Sequence, residues 1–126
     1  MNLQEKYKSV LDLGKQLNVQ NGNVLEEGGV LKVWGTAKDQ YDKDRLWDEI
    51  KSVGGSNPSD LVADISVANT EYYTRHTVAK GESLSLIAKH YFKDPMKYKQ
   101  IFEANKDTIK NPDLIHPGQE IIIPNL

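Results

Sequence analysis

Turn-forming and helix-breaking residues divide residues 72–124 into four short segments. The β-rich run Tyr72–Val78 is followed by a Gly-Glu-Ser turn, where Ser83 can cap the start of a helix. Pro95 interrupts the helical pattern, because proline disfavours a helical conformation in the residue before it. A rigid loop with two prolines then precedes a closing strand at Gln119–Ile123. These segments predict the order strand, helix, helix, strand.

The first half of the chain has a different order of segments. Gly28-Gly29 joins two β-rich runs and is typical of a hairpin turn. Asn21-Gly22 carries turn chemistry and is expected to end the first helix. The predicted elements are a helix over residues 3–17, strands at Val24–Glu26 and Val30–Thr36, a helix capped by Asp39, and a strand at Leu61–Val67. The predicted order is therefore helix, strand, strand, helix, strand.

Composition limits the classes of partner. The 126 residues carry a formal net charge of −2 and contain no cysteine, which excludes disulfide scaffolds and thiolate metal sites. A charge so close to zero predicts neither nucleic acid nor an anionic membrane as a partner. The apolar runs are too short to span a bilayer, and the N-terminus lacks the apolar core of a secretion signal. We therefore expect a cytoplasmic protein that is a monomer.

The second half carries a recognisable pattern. Its residues are Tyr73, Val78, Gly81-Glu82-Ser83-Leu84, Ile87-Ala88, Ile101, Asn105, Asn111-Pro112, Ile115, Pro117-Gly118-Gln119 and Ile123-Pro124. In this order and spacing they make residues 72–126 resemble a LysM domain. The resemblance implies a βααβ module that binds N-acetylglucosamine-containing glycan of the peptidoglycan or chitin type. It also implies a protein that is not an enzyme, because LysM domains bind sugar without cutting it.

The LysM resemblance implies a glycan groove between the loop after the first strand and the loop before the last strand. The implied contact residues are Lys80, Gly81, Glu82, Ser83, Leu84, Asn111, Pro112, Asp113, Leu114 and Ile115. Backbone N–H and C=O groups would bind the N-acetyl amide, while Leu84 and Ile115 would cover its methyl group. A single shallow module of this kind is expected to bind weakly.

The first half resembles a BON domain over residues 1–68. The features that carry this resemblance are Val33-Trp34-Gly35 on a strand, an acidic helix, a glycine-bearing turn and a last strand that ends at Ile65-Ser66-Val67. The fold class implied for the chain is α+β. A small BON-like αββαβ domain would pack against the βααβ LysM domain, with residues 68–71 as a short linker.

A BON domain followed directly by a LysM domain is similar to a family of small bacterial cytoplasmic proteins that bind potassium. In that family backbone carbonyls hold the ion, near the N-terminus and in the loop after the second BON helix. Carbonyls suit potassium because they replace its hydration shell without adding charge. The matching carbonyls here are those of Val53, Gly54, Ser56 and Ser59. The chain begins directly at its first helix, and Pro58 replaces a glycine that the family prefers.

Two ligands therefore remain open from the sequence, a glycan and a potassium ion, with a protein-interaction module as a third reading. No other cofactor is expected. The three histidines lack metal-ligand spacing and are expected to be surface or packing residues. Glu82 and Glu103 are not expected to form a hydrolytic pair, because nothing suggests the buried acid that this chemistry needs. Trp34 and Trp47 lie on apolar-patterned elements and are predicted to be core residues.

Overall fold

A computed structural model describes residues 2–126 and divides the chain into two compact units. The first unit reaches Thr70, and the second runs from Glu71 to Leu126. Both units mix helices with a small sheet, which confirms the α+β class. Within residues 2–126 no helix combines the length and the apolar character needed to cross a bilayer.

The first unit is a three-stranded sheet covered by helices. Its elements are α1 (Leu3–Lys6), α2 (Lys8–Gln16), β1 (Gln20–Glu27), β2 (Val30–Ala37), α3 (Gln40–Gly54) and β3 (Leu61–Val67). The strand order is β1-β2-β3, with β1 antiparallel and β3 parallel to β2. Crossing from β2 to a parallel β3 needs a long connection, and α3 supplies it.

The β1–β2 hairpin and the start of α3 form as their local sequence predicts. Gly28 and Gly29 both have positive φ, 62° and 77°, which a two-residue hairpin turn of the primed type requires. Asp39 caps α3, because its Oδ1 accepts a hydrogen bond of 2.9 Å from the N–H of Asp42. These two local signals fix both ends of β2.

The first helix and the first strand differ from the prediction. The helix is interrupted at Tyr7, and Asn18 ends it in a left-handed conformation with φ 55°. Asn21-Gly22 does not end the helix, because both residues lie within β1, at an irregularity of its pairing with β2. Asparagine tolerates positive φ, so Asn18 supplies the turn that was assigned three residues later.

The core of the first unit shows which side of β2 is covered. Leu31 and Val33 are buried, whereas Trp34 between Val33 and Gly35 is 41% exposed. The prediction that Trp34 is a core residue was wrong, because alternate residues of a strand face opposite sides of the sheet. Trp47 is only partly buried and packs against the core cluster. Both tryptophans belong to the first unit, so their fluorescence reports on that unit alone.

The second unit has the βααβ order of a LysM domain. Its elements are β4 (Thr74–Thr77), α4 (Leu84–Phe92), a short 3₁₀ helix (Pro95–Lys97), α5 (Tyr98–Ala104) and β5 (Glu120–Ile123). The strands β4 and β5 pair antiparallel. Buried Asn105 joins α5 to β5, since its Nδ2 donates to the carbonyls of Ile101 and Ile122 and its Oδ1 accepts from the N–H of Ile122. The Asn105 side chain thus satisfies the backbone N–H and C=O of Ile122 in β5, as a third strand would do.

Candidate functional site

The turn after α3 presents backbone carbonyls at the end of a long helix. The N–H of Gly55 donates to the carbonyl of Lys51 at 2.9 Å, and this bond closes the helix. Gly55 itself has φ 86°, and a Cβ added there meets no atom within 4 Å. Within residues 2–126 no backbone N–H outside the helix donates to the carbonyls of Val53 or Gly54. These groups carry the negative end of the helix dipole.

The same turn is fastened to the N-terminal helices by one carboxylate. Asp60 accepts two side-chain hydrogen bonds of 2.5 Å, from the Tyr7 hydroxyl at Oδ1 and from the Lys6 ammonium at Oδ2. These two hydrogen bonds hold the pKa of Asp60 below its usual value, and the bond from Lys6 has the larger effect. Burial and the nearby Asp60 carboxylate raise the pKa of Tyr7 to about 12. We call Lys6, Tyr7 and Asp60 the Asp60 latch.

Gly54 also contributes to the packing of this region. A Cβ at Gly54 would collide with the Tyr7 hydroxyl, and it would lie 3.0 Å from the Cβ of Pro58. Gly54 is therefore required by close packing, whereas Gly55 is required by its positive φ. Of the four carbonyl residues named from the sequence, Ser56 and Ser59 lie in the exposed turn between α3 and β3.

The two loops implied by the LysM resemblance lie at the same end of the β4–β5 sheet. The N–H of Val78 donates to the carbonyl of Gln119, and the N–H of Gly118 donates to the carbonyl of Val78, both at 2.8 Å. Antiparallel pairing thus places the chain leaving β4 beside the chain entering β5. In the second loop, Asn111 Oδ1 accepts from the N–H of Asp113 at 2.9 Å and makes a local turn.

Side chains in the first of these loops are already engaged within the unit. Ser83 caps α4 by accepting from the N–H of Leu86 at 3.2 Å. Leu84 is 2% exposed and belongs to the core, so its side chain is not presented at the surface where the expectation placed it. In the second loop Leu114 is 61% exposed, while Ile115 is half-buried. Leu114 therefore replaces Leu84 as the apolar side chain available to a ligand.

His76 and Tyr91 were not assigned to a site from the sequence, yet they hold the first loop. His76 Nε2 lies 2.9 Å from Glu82 Oε1, and Nδ1 lies 2.7 Å from the Tyr91 hydroxyl. Glu82 Oε1 also accepts from the N–H of Ala79 at 2.6 Å. The sequence predicted only that His76 is a surface or packing residue; its ring packs edge-on against Tyr91, and its two polar partners come from other parts of the chain.

The carboxylates of Glu82 and Glu103 have separate environments. Burial raises the pKa of Glu82, but the hydrogen bonds from Ala79 and His76 lower it by more than burial raises it. The pKa of Glu82 is therefore below its ordinary value. A general acid in glycoside hydrolysis needs a raised pKa. Glu103 lies on α5 and pairs with Lys106 at 2.9 Å on the exposed surface. Glu82 and Glu103 therefore have different partners and do not share one environment.

Comparison with known proteins gives two kinds of match. The LysM domain family matches residues 76–124. A protein named "Potassium binding protein Kbp" from Escherichia coli O6:H1 is 32% identical over 103 residues, which cover 81% of this chain and 68% of that protein. An uncharacterized protein from Deinococcus radiodurans is 55% identical over 51 residues, 40% of this chain, and the match spans only 19% of that protein's length. The similarity to Kbp thus extends beyond the LysM match.

Proposed function

We propose that this chain, which belongs to the family of the potassium binding protein Kbp, binds a potassium ion through backbone carbonyls at the end of α3. The supporting observation is a set of carbonyls at a helix C-terminus that lack backbone N–H partners within residues 2–126, on a turn fastened by the Asp60 latch. The proposed ligands are the carbonyls of Val53, Gly54, Ser56 and Ser59. We also propose that residues 1–68 form a BON-like domain and residues 72–126 the LysM domain.

The electrostatics of this turn suit a monovalent cation. The C-terminus of a helix carries the equivalent of about half a negative charge, which attracts a cation without a carboxylate. The carboxylate of Asp60, which follows the turn directly in sequence, is paired with the Lys6 ammonium at 2.5 Å. Divalent ions prefer several carboxylate ligands, and residues 2–126 contain no group of three or more His, Asp or Glu side chains placed to hold a metal. Carbonyl dipoles around a dehydrated ion favour potassium.

The test compares potassium with sodium in two matched glycine variants. Gly55 and Gly29 both lie in the first unit, have φ of 86° and 77°, and neither has an atom within 4 Å of an added Cβ. Valine at either position costs about 1–3 kcal/mol of backbone strain, so both variants are destabilised for the same reason. Only Gly55 lies at the proposed ion site. Gly54→Val is unsuitable, because its side chain would collide with Tyr7.

The measurement is the thermal unfolding midpoint of the first unit, followed by tryptophan fluorescence at matched ionic strength in KCl and NaCl. A ligand that binds only the folded state raises this midpoint. We expect KCl to raise it more than NaCl in the unmodified protein and in Gly29→Val, and the difference to disappear in Gly55→Val. Equal midpoints in both salts for the unmodified protein would contradict the proposal.

A second candidate function is supported by the loop arrangement of the LysM unit. We propose that the loops containing Lys80–Ser83 and Asn111–Ile115 bind an N-acetylglucosamine oligomer, with Leu114 covering the acetamido methyl group. Placement of both loops at one end of the β4–β5 sheet supports this proposal. Titration with chitotetraose, followed by amide NMR shifts, is expected to perturb both loops in the unmodified protein and neither loop in Gly81→Val. No perturbation in the unmodified protein would contradict it.

A further inference from the structure

An apolar cleft opens between α2 and the β1–β2 hairpin in the first unit. Its volume is about 400 Å³. Apolar side chains from α2, α3, the sheet and the segment between α2 and β1 form its walls: Val10, Leu11, Val19, Val24, Val33, Leu46 and Ile65. Four of them, Val10, Val33, Leu46 and Ile65, are core residues with 9% exposure or less. The cleft therefore reaches the hydrophobic core, and its volume lies in the usual range of small-molecule sites.

The mouth of the cleft is shaped by two neighbouring residues of α2. Gly14 lines the cleft, and a Cβ added there meets no atom within 4 Å, so the glycine leaves space that a larger residue would fill. Lys15 is exposed, and it is the one charged residue of the described lining. Gln4 and Asn23 also line the cleft and are polar but uncharged. Asp12, which lies near Lys15, is paired with Lys8 at 2.8 Å.

Lys15 therefore brings a positive charge to an apolar cavity without its own ion pair. Across residues 2–126 no carboxylate lies within salt-bridge distance of its ammonium group, and no acidic residue lines the cleft. A ligand that complements this arrangement has an apolar body and one negative charge at its end. We propose that the cleft binds a small carboxylate with a medium-length alkyl chain, with the chain against Val10 and Val33 and the carboxylate at Lys15.

The first experiment locates binding in the unmodified protein. Decanoate is titrated below its aggregation concentration, and methyl resonances are followed by NMR. We expect saturable shifts at the methyl groups of Val10, Val19 and Val33. Decanol, which has the same chain without the charge, is expected to bind about fivefold more weakly, since an exposed ion pair contributes up to about 1 kcal/mol. Shifts confined to other methyl groups, or no saturable shifts, would overturn the proposal.

Variants on two faces of α2 then test the cleft itself. Gly14→Leu is expected to fill the mouth and to reduce decanoate affinity at least tenfold, while Gln16→Leu, at an exposed position of the same helix, leaves it unchanged. Lys15→Gln is expected to weaken decanoate about fivefold and to leave decanol unchanged. Gly14→Met is the replacement if Gly14→Leu loses its native fluorescence. Equal decanoate affinity in the filled variant and the unmodified protein would overturn the proposal.

Discussion

The buried hydroxyl of Tyr7 contributes to the stability of the first unit, and a single substitution removes it. Tyr7 has no solvent exposure, and its hydroxyl donates to Asp60 Oδ1 at 2.5 Å. Tyr7→Phe keeps the ring in the core and deletes only this hydrogen bond. The variant therefore isolates one arm of the Asp60 latch.

The expected cost follows from the nature of the acceptor. A hydrogen bond to a charged group contributes about 1.5–3 kcal/mol. The Asp60 side chain remains 25% exposed and keeps its pairing with Lys6, so water can replace the lost donor. We therefore expect a loss near the lower limit, about 1.5 kcal/mol in the free energy of unfolding. For a unit of this size that corresponds to a fall of roughly 6–12 °C in the unfolding midpoint.

Tryptophan fluorescence during urea unfolding measures this loss, because Trp34 and Trp47 both belong to the first unit. Tyr98→Phe serves as a control for the loss of a hydroxyl outside the first unit, since Tyr98 lies at the edge of the second unit's core and its hydroxyl has no hydrogen bond within residues 2–126. The control is expected to leave the fluorescence transition unchanged. A loss below about 0.5 kcal/mol in Tyr7→Phe, or an equal loss in the control, would refute this assignment of the latch.

Three further predictions concern pH, packing and helix propensity. The pKa of Asp60 is lowered in the folded state, so the stabilisation that Asp60 provides is present above its unfolded pKa near 4 and is lost as pH falls through the folded pKa. In urea titrations, the difference in stability between Tyr7→Phe and the unmodified protein should therefore shrink over that pH range. A difference that stays constant would contradict this prediction. Asn105→Ala removes three hydrogen bonds to backbone groups of Ile101 and Ile122 and should destabilise the second unit by more than about 2 kcal/mol, measured by far-UV circular dichroism; a loss under about 1 kcal/mol would show that water replaces them. Gly14→Ala should stabilise the first unit by about 1 kcal/mol, because alanine is the better helix former and its Cβ meets no atom within 4 Å; destabilisation in the fluorescence assay would contradict this.

Features set by neighbouring residues could be predicted from the sequence. The turn at Gly28-Gly29 and the caps at Asp39 and Ser83 depend on a few adjacent positions, and each is present. The order βααβ in the second unit depends on breakers such as Pro95, which act locally. The end of the first helix was displaced because several consecutive residues there tolerate turns, and Asn18 rather than Asn21 ends the helix.

Features set by distant residues could not be predicted in the same way. Tyr7 and Asp60 are separated by 53 positions, and the apolar pattern around Tyr7 gives no sign of a carboxylate partner. The side of the sheet on which Trp34 lies follows from the register of β2. The hydrophobicity of tryptophan alone favoured the core and led to the wrong prediction. Leu84 follows a helix cap in sequence, yet its direction toward the core depends on where α4 packs.

Carbonyl ¹³C shifts measured during replacement of NaCl by KCl at constant ionic strength test the potassium proposal most directly, because they report on the proposed ligand atoms themselves. We expect saturable shifts at the carbonyls of Val53, Gly54, Ser56 and Ser59 as potassium replaces sodium. The carbonyls of the Asn111–Ile115 loop should remain unchanged. Saturable shifts located elsewhere in residues 2–126, or no saturable shift at these four carbonyls, would contradict potassium binding at the end of α3.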